Sequence, residues 1–168
     1  MFNKVLPYSA NYDTINNNGT ERSMAIETEK VLSKLSGTQS ITEFLEESKD
    51  SFDLLTIGEY IQLEVENRNI TKAKVIKESG INKRFFYDIL SAKKIPNRRY
   101  IIRVFLALGL DLADVQWYLK ACDYPQLYAK NKRDAIIIYC INKKLDVSEC
   151  NKMLNNVGLE NLGFENTE

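Results

Sequence analysis

The chain of 168 residues balances 23 lysines and arginines against 23 aspartates and glutamates, is 44% hydrophobic, and contains no histidine. That composition describes a globular chain able to bury a core, while the missing histidine excludes Ser-His-Asp and Cys-His catalysis and every histidine metal ligand. Cys122, Cys140 and Cys150 fit neither a zinc site nor a Cys-x-x-Cys pair and read as small buried hydrophobes in a reducing compartment.

No apolar run nears the roughly 20 residues of a membrane span, and Met1 to Ala10 lacks a secretory core. The expectation is a soluble, cytoplasmic protein with no cofactor, no metal and no membrane partner.

Residues 1–36 read as a flexible N-terminal tail, because Asn16, Asn17, Asn18 and Gly19 favour turns and offer no apolar face. Only Val31, Leu32 and Leu35 share a side, over a short helical stretch from about Glu27 to Leu35. Residues 37–54 hold an acidic helix, with Ser40 and Glu43 as a capping box and Ile41, Phe44 and Leu45 as its inward stripe. Thr56 and Glu59 repeat the box before a helix through Ile57, Tyr60, Ile61 and Val65.

Thr71 caps a short helix ended by Gly80, Asn82 caps another through Phe85, Phe86, Ile89 and Leu90, and Asn97 opens a helix through Ile101, Ile102, Phe105 and Leu106. Asp111 with Asp114 opens the next, and helices near 132–143 and 147–157 complete the chain. No stretch alternates with period two for long enough to be a strand. The fold class expected is therefore all-α.

Sliding the chain by 35 residues lays Arg98 on Arg133, Ile101 on Ile136, Leu110-Asp111-Leu112 on Leu145-Asp146-Val147, Leu119 on Leu154 and Leu127 on Leu162. Each unit reads as a helix, a Leu-Asp turn and a second helix.

Charge is unevenly placed along the chain. Residues 21–66 carry 4 basic and 11 acidic side chains, residues 67–103 carry 11 basic and 2 acidic, and residues 104–168 carry 7 and 9. The central block, net +9, is an electrostatic footprint for a polyanion; pairing with the acidic segment is the competing explanation.

The same block holds a helix-turn-helix pattern over residues 71–90. Gly80 supplies a left-handed turn, and Val75, Ile81, Phe86 and Ile89 fall where two crossing helices bury side chains against each other. Asn82 caps the second helix, so its first turns project Lys83, Arg84 and Tyr87 toward a major groove. Thr71 and Lys72 at the start of the first helix, with Lys93, Lys94 and Asn97 in the following loop, suit phosphate contact.

With its flanks, this stretch resembles the phage-repressor and Cro-like (xenobiotic-response-element) helix-turn-helix family. The resemblance covers about residues 55–115, from Ile57-Gly58-Glu59-Tyr60-Ile61 through the turn Gly80-Ile81-Asn82 and the loop Ser91 to Asn97, to Leu106-Ala107-Leu108-Gly109-Leu110-Asp111. It implies a five-helix domain that binds DNA operators, often as a dimer. The chain departs from the family pattern at Lys72, where glutamine is usual, at Ile76, where a small residue is usual, and at Ala92, which replaces the loop glycine. Phe85 stands where a small polar residue often faces DNA; it can meet a thymine methyl, pack on the extra helices or serve a protein interface.

The expected function is a DNA-binding transcriptional regulator and not an enzyme, since no glycine-rich phosphate loop or metal-ligand cluster occurs and Glu43, Glu46 and Glu47 read as a solvated face. The alternative is a helical interaction adaptor on the same scaffold. Residues 116–162 form a C-terminal helical extension and 163–168 a second flexible tail. Trp117 to Leu119 and Ile136 to Tyr139 carry surface that a homodimer can bury; a protein partner can also bind through the acidic N-terminal helix or the C-terminal helices.

Overall fold

The computed structural model describes residues 29–48 and 55–163, which fall in two compact units, 1–53 and 54–168. Most of the two expected tails, 1–28 and 164–168, lies outside the described residues. The described residues are all-α, without a strand.

In the first unit, α1 occupies residues 29–37, so helix reaches across the end of the segment read as a tail. Its last turn is closed by Ser36 Oγ donating to the Leu32 carbonyl, 2.8 Å. The second helix, α2 (Ile41–Glu47), starts at Ser40, whose hydroxyl accepts from the Glu43 amide. Only that half of the expected capping box forms there. Phe44 is the buried residue of α2, whereas Ile41 and Leu45 are exposed.

The second unit contains α3 (Ile57–Asn67), α4 (Lys72–Ser79), α5 (Lys83–Leu90), α6 (Arg98–Leu108), α7 (Leu112–Ala121), α8 (Lys132–Asn142) and α9 (Val147–Asn156). Every start follows from a local side chain that satisfies an amide the first turn leaves free. Thr56 and Glu59 form a reciprocal box, and Thr71, Asn82, Asn97 and Asp111 each accept from the amides of their first turn. Asn131 caps α8, and Asp146 with Glu149 forms a second reciprocal box that the sequence reading passed over.

One continuous core runs through all seven helices. Val75, Ile81, Phe86, Ile89, Ile101, Val104, Val115 and Leu119 are fully buried, and the cluster continues into Ile137, Cys140, Cys150, Leu154 and Leu162. The C-terminal hairpins thus share their packing with the helices that precede them. Gly58 marks the closest approach: a Cβ there would lie 2.3 Å from the Ile89 carbonyl oxygen and 2.9 Å from Leu90 Cα, so glycine lets α3 rest on the end of α5.

The 35-residue repeat is present in three dimensions down to its hydrogen bonds. α7 and α9 begin and end 35 residues apart, and the turns before them match: Leu110 N donates to Phe105 O as Leu145 N donates to Cys140 O. The left-handed positions coincide as well, Gly109 with Lys144 and Asp123 with Gly158. In each unit an amide side chain clasps the tail that follows: Leu127 N donates to Gln116 Oε1 at 2.7 Å, and Leu162 N donates to Asn151 Oδ1 at 2.7 Å. An arginine closes each tail, Arg98 on Gln126 O and Arg133 on Asn161 O.

Candidate nucleic-acid interface

The site is built on α4, the turn Gly80-Ile81-Asn82, and α5. Gly80 adopts φ 59° and ψ 29°, the left-handed geometry that costs glycine least. Ile81 at the turn and Phe86 and Ile89 on α5 are buried with Val75 of α4, which fixes the crossing of the two helices. α4 in turn packs along α6.

A buried guanidinium holds the turn from behind. Arg103, 1% exposed in mid-α6, donates from Nε to Ser79 O at 2.8 Å and from its other arm to Gly80 O, and its guanidinium lies 5.2 Å from the Tyr100 ring centre. These bonds satisfy carbonyls that the left-handed end of α4 leaves without a helical partner. Sequence reading missed Arg103; its signal was a single charge inside the apolar run Ile101-Ile102-Arg103-Val104-Phe105.

With its inner side so fixed, α5 turns Lys83, Arg84 and Tyr87 to the surface. All three are exposed, and none makes a side-chain hydrogen bond or ion pair among the described residues. Asn82 is exposed, but its Oδ1 accepts from the Arg84 and Phe85 amides, leaving its amide nitrogen as the group that can still donate outward. Thr71 and Asn97 are likewise caps first, accepting from Lys74 N at 3.2 Å and Tyr100 N at 3.2 Å. Lys72 is half-buried in the first turn of α4.

In the loop after α5, Lys93 and Lys94 are exposed, and their amides both donate to Asp88 O. Lys94 is held further: its Nζ lies 3.7 Å from the Asp88 carboxylate and 5.5 Å from the centre of the Phe85 ring. Phe85 itself packs on Tyr100 of α6, ring centres 4.9 Å apart, a partner within the five-helix stretch and not on the extra helices. Ile76 is half-buried at the edge of the same core. Ala92 takes a left-handed φ of 54°. The loop ends on Pro96, whose carbonyl accepts from Tyr124 Oη at 2.6 Å.

Two ionic clusters brace the domain. Arg98 grips Asp134 with both arms, 3.0 and 2.9 Å, and these bonds hold the Asp134 carboxyl below the usual carboxylate range despite its burial. Glu64, buried, accepts from Tyr118 Oη and from Arg68 Nε at 2.7 Å, and Arg68 reaches Asp114 at 3.4 Å. Burial first, then the charges of Asp111 and Glu64, push the Asp114 carboxyl up to about 6. Trp117 packs edge-on to Tyr60, 5.1 Å between ring centres, so its face is used inside the domain.

The described residues contain no cluster of three or more histidine, cysteine or carboxylate groups that could hold a metal ion, and no helix long and apolar enough to cross a membrane. Comparison of the chain with family models, with curated proteins and with solved structures returns no match.

Proposed function

We propose that the chain is a DNA-binding transcriptional regulator of the repressor-like, xenobiotic-response-element helix-turn-helix type, with α5 as its recognition helix. The observation that carries this reading is the first half of α5. Lys83, Arg84 and Tyr87 stand exposed and make no side-chain hydrogen bond or ion pair among the described residues, on a short helix whose opposite side is buried through Phe86 and Ile89 and whose preceding turn Arg103 holds. A charged side chain left free on a rigid element is what base-edge recognition requires, since Arg and Lys pair with guanine O6 and N7. Lys72, Lys93 and Lys94, with the amide-rich starts of α4 and α6 at Thr71 and Asn97, flank it as phosphate contacts.

Anisotropy titration of labelled duplex DNA across a salt series tests the reading. Three lysines on three phosphates give a slope of about −3 in log K against log salt. Lys83→Ala with Arg84→Ala should weaken specific binding by roughly 1–3 kcal/mol per lost base contact while leaving the melting temperature in place. Salt-independent binding, or a double variant as tight as the parent, overturns it. The adaptor alternative predicts such indifference to both salt and these two side chains.

A further inference from the structure

The internal repeat exposes a difference between its two copies. In α6 the positions Ile101, Val104 and Leu108 are buried, at 0%, 0% and 2% exposure. Their counterparts 35 residues on are Ile136, half-buried, Tyr139, 49% exposed, and Lys143, exposed. The cause is what lies alongside: α6 has α3 and α4 packed against it as well as α7 and α9, whereas α8 packs chiefly on α7 and α9 and meets α6 through the Arg98–Asp134 pair. The second copy therefore keeps open a helix face that the first copy closes with the helices that precede it.

We propose that this face of α8 docks an acidic amphipathic helix of a partner protein. A helix is the occupant because, in the first copy, α6 is packed by helices, α3 and α4. Charge selects its sign. Lys132, Ile136 and Tyr139 of α8 and Lys143 at its C-cap follow one another at spacings of four, three and four residues, an apolar centre with a lysine at each end. The only acid of α8, Asp134, is buried and gripped by Arg98, so nothing acidic on α8 itself offsets those lysines. The same charges oppose a second copy of the chain: antiparallel pairing of two α8 helices sets each Lys132 against a Lys143, and parallel pairing sets like against like. A stripe this small fits a transient contact.

The test titrates the full chain into a fluorescein-labelled peptide of about 14 residues, leucine along one face and glutamate on the flanks. The expected result is saturable binding, weakened at least tenfold by Tyr139→Glu and several-fold by Lys132→Glu with Lys143→Glu, and absent when lysine replaces glutamate in the peptide. Tyr139 is exposed enough that its variant keeps the parent melting temperature, and Ile136→Ala supplies a second, milder probe. DNA binding should be unchanged by all of these. No saturation by about 1 mM peptide, or binding indifferent to Tyr139→Glu, overturns the proposal. A doubled mass in light scattering that Tyr139→Glu returns to 19.4 kDa would assign the face to a second copy and overturn it as well.

Discussion

Glycine to alanine inside a helix ordinarily stabilises it by about 1 kcal/mol, because alanine loses less conformational freedom on folding. At Gly58 the structure reverses the sign. The added Cβ would meet the Ile89 carbonyl oxygen at 2.3 Å and both Cα and the carbonyl oxygen of Leu90 at 2.9 Å. These are backbone atoms in the last turn of α5, so no rotamer change relieves the overlap. Reaching normal contact takes a separation of α3 and α5 by about 1 Å, which opens gaps around Phe86 and Ile89, both fully buried. Overpacking of this kind costs about 3 kcal/mol or more, and the propensity gain offsets only about 1, leaving Gly58→Ala destabilised by roughly 2–4 kcal/mol. Gly37, with nothing within 4 Å of its Cβ position, is the matched control, expected within about 0.5 kcal/mol of the parent. Urea unfolding with a shared m-value measures both. A Gly58→Ala midpoint at or above the parent's would refute the packing of α3 on α5.

Ala92→Gly should raise stability by about 0.5–1 kcal/mol, since alanine at φ 54° carries a left-handed strain that glycine does not; an unchanged or lower thermal midpoint would deny that conformation. Arg103→Met should lose about 2–4 kcal/mol, because the Ser79 and Gly80 carbonyls lose their buried donor; a midpoint shift too small to resolve would show that the bracket is dispensable. Asp114, pushed up to about 6 from 3.8, holds a proton in the folded state that the unfolded chain has already released, so its effect on stability turns unfavourable as pH rises from about 4 to 6. Asp114→Asn should therefore gain about 1 kcal/mol at pH 7, discounted for the 30% exposure of the side chain, and gain nothing at pH 4; a loss at both would be the wrong sign.

What could be read from the sequence was whatever acts over a few residues. The caps at Thr56, Thr71, Asn82, Asn97 and Asp111 sit at the starts the local pattern indicates, because a side-chain oxygen three residues from a free amide needs no tertiary context. The left-handed end at Gly80 was legible for the same reason. Exposure of Lys83, Arg84 and Tyr87 followed from the apolar positions on the other side of α5.

Features that depend on distant partners stayed hidden. Arg103 bonds across 23 and 24 residues to carbonyls that carry no side-chain signature. The Gly58 contact joins two backbones 31 and 32 positions apart, and sequence shows only a glycine near a helix start. The Tyr100 ring that packs on Phe85 leaves no mark in the local sequence pattern. The repeat was visible as Leu-Asp turns, but the matched clasps of Gln116 and Asn151 use two residue types that alignment by identity does not pair.

Whether α5 reads base edges is decided by selecting bound duplexes from a random DNA library with the full chain and again with the Lys83→Ala, Arg84→Ala double variant. The parent should enrich a discrete motif containing guanine, and the double variant should lose it while retaining salt-sensitive, sequence-independent binding through Lys72, Lys93 and Lys94. A library that emerges unenriched, or one enriched equally by the double variant, would contradict it.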